Sequence, residues 1–357
     1  MTSLQDAVAF TRGPAMKNRF MLAPLTNQQS HDDGTLSDDE HKWLTMRADG
    51  GFGLVMTCAA HVQKIGQGFA GQLGVFDDVH LPGLERLARD VKASDAVAIA
   101  QLHHAGRRSP AALIGADPVC PSDDPENGAR ALTTGEVEQL VEDFVAAAVR
   151  CDRAGFDGVE LHGAHDYMIC EFLNPDLNRR TDRYGGSLEN RSRMLLEIVD
   201  GIRLRCRADF NLSVRLSPER FGMRTDEIME VFAMLVSTGA VDFIDMSLWD
   251  VFKSGANEGF ENERLVDIFA GLDRGDTRLA VAGKLYSAAD CQRAIDAGAD
   301  MVAVGRGAIL HHDFPRLAAD PNFVVRPLPA SRAALAAEGL SETFIGYMGN
   351  WPGFVGD

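Results

Sequence analysis

His162, His165 and Tyr167 fall within six residues, directly after the apolar run Gly158-Val159-Glu160-Leu161. Three hydrogen-bonding side chains at the mouth of a buried strand are costly unless they face a cleft. Side chains of these types at that position suit the hydrogen-bonding and proton-donating half of an active site. A phenol ordinarily titrates near pKa ~10, so Tyr167 has a proton to give at neutral pH. The same histidines also admit a metal reading, with Asp166 adjacent and His103 and His104 as further donors. A metal site of this kind needs a third protein ligand, and no second HxxH pattern with a paired carboxylate stands at another strand end. Satisfied structural histidines are the plainest alternative, weakened by two histidines and a tyrosine meeting at one strand mouth. The stretch closes on a polar loop, Asn178 to Gly186.

Other polar residues interrupt apolar runs. Gln101 stands late in Val97–Leu102, and Arg215 stands inside Leu212–Leu216. A buried cation must be paired or must face a ligand. Glu160 is one partner for an ion pair with Arg215, and a bound anion is the other reading.

The elements that must carry these residues alternate regularly. Short apolar runs at Arg19–Thr26, Leu54–Met56, Val97–Leu102, Val159–Leu161, Leu212–Leu216, Phe243–Met246, Leu279–Ala282 and Met301–Val304 predict eight strands. Segments of helical spacing separate most of them. Ser37 is a plausible cap for a helix over 36–50, and Thr133 with Glu136 makes a capping box before Val137, Leu140, Val141 and Phe144. Continuous apolar strands between helices imply a parallel sheet covered on both faces. Eight units predict an α/β fold, a (β/α)8 TIM barrel with loop excursions at 61–74, 109–132 and 247–262. An open doubly wound sheet is the alternative. The chain reads as one barrel domain over 1–357, with the barrel at about 18–317 and a C-terminal tail at 318–357. Chemistry in such a barrel sits at the C-terminal strand ends, with phosphate often held after strands seven and eight. Gly283 and the Gly305-Arg306-Gly307 turn occupy those positions, where open backbone N–H groups and a guanidinium suit a phosphate. Ordinary strand-to-helix turns are the competing explanation.

Composition bounds the rest. The net charge of −17 opposes nucleic acid and anionic membranes as partners. The six cysteines are scattered without a CxxC pair, which points to reduced thiols in the cytoplasm rather than to a disulfide framework. No signal peptide or membrane-spanning run is apparent. The aromatic tail Phe344–Val355 packs either on its own barrel or on a neighbouring subunit of a homo-oligomer.

The segments NRFMLAPLT, GLVMTCAA, AIAQLHHAGR, GVELHGAHDYMICEFLNPDLNRRTDRYGGSLENR, LSVRLSP and MVAVGRGAIL occur in order along the predicted barrel. Together they resemble the old yellow enzyme family of flavin-dependent ene-reductases, the NADH:flavin oxidoreductases. The resemblance implies a barrel holding non-covalent FMN, reduced by NADPH or NADH. It implies that Pro24, Thr26 and Cys58 line the flavin ring, that Thr26 meets its O4 side and that Gln101 meets the pyrimidine. It sets Arg215 beside N1 and O2, and Gly283, Gly305 and Arg306 around the phosphate. It gives His162 and His165 the substrate's carbonyl oxygen, and Tyr167 the proton for the adjacent carbon. The implied reaction is ping-pong reduction of an α,β-unsaturated carbonyl compound. A flavin-dependent demethylase or dehydrogenase on the same barrel is the alternative within the family, and a metal-dependent hydrolase using His162 and His165 the alternative outside it. Cys58, Asp166 and Lys284 depart from the family's usual residues: small, Gly and apolar, respectively.

Overall fold

The computed structural model describes residues 2–357. Eight parallel strands close into a barrel: β1 (Phe20–Leu22), β2 (Leu54–His61), β3 (Val97–His103), β4 (Gly158–Gly163), β5 (Asn211–Leu216), β6 (Phe243–Ser247), β7 (Arg278–Ala282) and β8 (Met301–Val304). β1 pairs with both β8 and β2, which completes the ring and rules out the open sheet. Nearly every strand residue is buried, because one face meets the barrel interior and the other meets helices.

The helices that follow the strands are α1 (Asp38–Asp49), α2 (Leu81–Lys92), α3 (Thr134–Arg153), α4 (Leu188–Arg205), α5 (Thr225–Ser237), α6 (Leu265–Ala270), α7 (Ala288–Asp296) and α8 (Arg306–Leu310). Several begin where a side chain satisfies an orphan N–H. Ser37 accepts from the Glu40 N–H, and Thr133 and Glu136 form the expected capping box. Inward-facing Val137, Leu140, Phe144 and Val145 of α3 are buried against the sheet. Each such side chain contributes about 2 kcal/mol of apolar transfer free energy.

Inside the barrel, Met21, Leu54, Met56, Val97, Ile99, Phe243, Ala280 and Met301 form a separate apolar plug at the N-terminal end of the strands. The lead-in closes that end. Val8 bridges to Met16, and the Phe10 ring lies 5.6 Å from that of Phe243. Toward the C-terminal end the interior turns polar. Gln101, Glu160 and Ser213 are register neighbours, as are His162, Arg215 and Asp245 one row higher.

The tail adds helices at Arg332–Ala337 and Glu342–Met348. It packs on its own barrel: the Phe344 ring lies 4.9 Å from Trp43 of α1, and the Ser341 N–H donates to Gln29 Oε1 at 3.0 Å. All six cysteines are unpaired, and among the described residues no helix is long and apolar enough to cross a membrane.

Candidate active site

A cavity of about 560 Å³ opens at the C-terminal strand ends. Pro24, Thr26, Gln101, His162, His165, Tyr167, Arg215 and Arg306 all line it. A second cavity of about 250 Å³ adjoins it and holds Gly283, Lys284 and Gly305. Ala23, Leu25, Arg215, Trp249 and Arg306 border both, so the two are one continuous cleft. Ten of the eleven residues expected from sequence therefore meet in one place.

Cys58 is the exception. Its thiol points away from the cleft, buried under α1, and donates to Glu40 Oε1 at 3.0 Å. The neighbouring Ala59 lines the cavity instead. The cause is a bulge in β2. Met56 pairs with Ile99, but Ala59 pairs with Gln101, so one extra residue shifts the inward phase. Strict alternation from Leu54 and Met56 would have turned Cys58 inward.

The histidine wall has a consistent donor chain. The Ala164 N–H donates to His162 Nδ1 at 3.3 Å. That leaves Nε2–H of His162 to donate to His165 Nδ1, also 3.3 Å away, and Nε2–H of His165 to donate to the Ser247 hydroxyl at 2.7 Å. Burial pushes both rings well below the ordinary histidine value. The two positive rings would also repel each other, and Arg215 and Arg108 add to the effect. Both rings are thus neutral and donate through N–H. His165 and Asp166 hold left-handed backbone, φ 62° and 63°, an uncommon conformation for residues other than glycine. The Ser217 hydroxyl accepts from the His165 N–H at 3.1 Å, and Arg107 Nη2 donates to both Asp166 oxygens at 2.9 and 2.8 Å. Tyr167 follows at the start of the short helix Met168–Leu173, edge-on to His103 and His162 at 4.4 and 5.2 Å between ring centres.

On the floor, Gln101 Nε2 donates to Glu160 Oε1 at 2.8 Å. Burial raises the Glu160 carboxyl, and the nearby Asp245 raises it further. Arg215 pairs with Asp245, its Nε 3.0 Å from Oδ2, rather than with Glu160 as the sequence suggested. Its neighbour across the strand pair is Asp245, and this residue takes the charge. Both readings of Arg215 hold at once, because the guanidinium is paired and also borders the cleft.

Gly283 has φ +146°, and a Cβ there would meet the Trp249 carbonyl carbon at 2.6 Å, so only glycine fits between β7 and the Trp249 loop. Lys284 turns aside to Asp250, 3.1 Å away. Arg306 reaches the Tyr286 hydroxyl.

Several lining residues carried no signal in the sequence patterns. Arg108, Arg220, Phe221 and Trp249 come from loops, and Tyr347, Met348 and Trp351 from the tail. The Tyr347 hydroxyl meets the Thr26 side chain, and burial raises its pKa. The tail therefore walls its own barrel's cavity. Of the three excursions, 61–74 supplies Phe69 and 247–262 supplies Trp249, whereas 109–132 supplies no lining residue. No group of three or more His, Cys, Asp or Glu side chains stands in metal-holding geometry among the described residues, which leaves the metal-hydrolase reading without a third ligand.

Residues 11–320 match the model of the NADH:flavin oxidoreductase / NADH oxidase family. The chain is 36% identical over 334 residues to the probable NADH-dependent flavin oxidoreductase YqiG of Bacillus subtilis, covering 90% of this chain and 87% of that one. It is 34% identical over 319 residues to the NADH:fumarate oxidoreductase of Klebsiella pneumoniae, covering 85% of this chain but only 34% of that longer one. An old yellow enzyme homologue from Zymomonas mobilis superposes with a TM-score of 0.82 at 25% identity, over 96% of this chain and 99% of that one. With the barrel, the glycine turns and the histidine–tyrosine wall in one cleft, these matches make the chain a member of the NADH:flavin oxidoreductase / NADH oxidase family, the old yellow enzyme group of FMN-dependent, NAD(P)H-oxidising enzymes.

Proposed function

We propose that this chain reduces the activated C=C bond of α,β-unsaturated carbonyl compounds, using NADH or NADPH and non-covalent FMN. The observation that carries the reading is that neutral His162 and His165, with Tyr167, share one cavity wall facing a floor of Gln101 and Arg215.

The residues present fit the cofactor. Ala23, Pro24, Leu25 and Ala59 offer an apolar seat of flavin-ring character, with Thr26 and Gln101 for its polar edge. Arg215 suits the ring's N1 and O2 side, where reduced flavin carries negative charge. The phosphate would lie in the adjoining cavity among Gly283, Gly305 and Arg306, which no carboxylate lines. What FMN supplies when bound is two-electron transfer, from the nicotinamide nucleotide to the alkene's β-carbon.

The protein's own part is orientation, charge stabilisation and a proton. His162 and His165 hold the substrate's carbonyl oxygen through N–H and meet the negative charge that grows there. Their neutrality keeps them donors that release the product without having lost a proton. Tyr167 gives its hydroxyl proton to the α-carbon and recovers one from solvent. The product gains two hydrogens across the former double bond. The Klebsiella relative named for fumarate supports a C=C acceptor, although it aligns with this chain over about a third of its own length.

The test is anaerobic stopped-flow. Bleaching of flavin by NADH or NADPH, followed by recovery of colour on mixing with 2-cyclohexenone, is the expected result. Tyr167→Phe should slow the recovery while leaving the bleaching intact. Bleaching without recovery by any enone would overturn the reading in favour of an oxidative role such as demethylation.

A further inference from the structure

The cavity is lined by four arginines, Arg108, Arg215, Arg220 and Arg306, and by no carboxylate. This is unexpected in a chain with 52 acidic and 35 basic residues. Arg215 is neutralised by Asp245. Arg306 also borders the smaller cavity with its glycine turns. Arg108 and Arg220 border the larger cavity and not the smaller one, and neither has an ion-pair partner among the described residues; Glu219, next to Arg220, pairs with Lys253.

Their poses leave donors free. Arg108 spends one N–H on the His165 carbonyl oxygen, at 2.8 Å, and lies 4.8 Å over the Tyr167 ring. Arg220 lies 4.0 Å over the Trp249 ring, and its side chain makes no hydrogen bond among the described residues. A guanidinium lying over an aromatic ring keeps its N–H edge available to an anion. Arg108 lies beside His165 and Tyr167, and Arg220 lies over Phe221, whose ring adjoins His165; both arginines are solvent-exposed. An unpaired cationic pair at the mouth of an otherwise acidic protein also concentrates anions there.

We propose that Arg108 and Arg220 form a carboxylate-binding collar, and that the preferred acceptor is an α,β-unsaturated carbonyl compound bearing a carboxylate remote from the alkene. The proposal rests on the enone-reductase reading above and names its substrate class. The activating carbonyl goes to His162 and His165, and the second, anionic group goes to the collar. The chemistry of reduction is unchanged; the collar selects and orients.

The experiment uses the FMN-loaded enzyme and a matched pair of acceptors, a cyclohexenone carrying a ring carboxylate and its methyl ester. Wild type should favour the carboxylate in kcat/KM by roughly ten-fold, as expected of a charge-assisted contact that is partly solvated. The preference should shrink with added salt. Arg108→Gln/Arg220→Gln should bring the ratio near one. Because Arg108 also supports the His165 backbone, Arg220→Gln alone is the cleaner probe, and it should lower the ratio several-fold. Flavin absorbance and circular dichroism verify that each variant is folded. A wild-type ratio near one, or a ratio untouched in both variants, overturns the collar while leaving enone reduction standing. A loss confined to flavin reduction by the nucleotide also overturns it, by assigning the arginines to the nucleotide's phosphates. If neither acceptor restores the colour of flavin that NAD(P)H has bleached, the enone reading itself fails and the collar proposal falls with it.

Discussion

His165 Nε2 lies 2.7 Å from the Ser247 hydroxyl, so the ring nitrogen expected to face a substrate is already engaged at the end of β6. Ser247 fixes the tautomer of His165 and, through it, the direction of the His162 N–H. To offer Nε2–H to a carbonyl, His165 must give up this bond, at a cost of about 1 kcal/mol. Ser247→Ala removes that cost. The expected result is roughly five-fold tighter binding of 2-cyclohexenone, with flavin content unchanged. Weaker binding would instead mean that Ser247 holds the ring in its working pose.

The Cys58–Glu40 contact yields a paired prediction. Glu40 is fully buried, and its carboxyl receives the Cys58 thiol, Asn27 Nδ2 and the Ser30 hydroxyl. Cys58→Ala removes one of these donors and should cost about 1–2 kcal/mol in urea unfolding, with the flavin spectrum intact. Ala59→Leu, on the adjacent residue, should fill the ring seat and yield protein without flavin. Retention of flavin by Ala59→Leu together with its loss in Cys58→Ala would reverse the assignment of the two positions.

These two residues also mark the limit of what the sequence reveals. The strand and helix order was legible because buried parallel strands and capped amphipathic helices each carry a local pattern, as at Thr133 and Glu136. His162, His165 and Tyr167 were legible because polar residues crowd a strand end. A bulge carries no such mark, so the resemblance set Cys58 at the flavin ring while Ala59 lines the cavity. The partner of Arg215 was equally hidden: one strand's sequence says nothing of its register with the next, and Asp245 rather than Glu160 takes the charge. Arg220, Trp249 and Tyr347 reach the cavity from loops and from the tail, where no periodicity links residue type to direction.

Asp166 holds the left-handed backbone that glycine favours, φ 63°. The Arg107 pair, about four-fifths buried on both sides, holds it there. Asp166→Gly should relax the backbone but leave Arg107 with Asp124 as its one remaining carboxylate partner, for a net loss of about 1–2 kcal/mol once partial solvation is allowed for. Alkene turnover should fall further than flavin reduction, because Tyr167 is the next residue. A variant as stable and as active as wild type would mean that the Arg107 pair positions nothing.

His61 tests the electrostatics of the wall behind the site. Its Nδ1–H donates to the Gln63 carbonyl at 2.9 Å, and its Nε2 is buried without a partner among the described residues. Burial, aided by His80, pushes its pKa down to about 4. In the unfolded chain the ring titrates near ~6.5, so between these values the unfolded state binds the extra proton. The stability that His61 contributes is therefore complete above about 6.5 and is lost as pH falls toward 4. Urea unfolding of wild type and His61→Gln, at pH ~7.5 and ~4.5, isolates this contribution, because the other buried groups cancel in the comparison. Wild type should lose about 2–3 kcal/mol relative to the variant on acidification. An equal difference at both pH values would mean that the His61 ring titrates at its ordinary value, in contact with solvent.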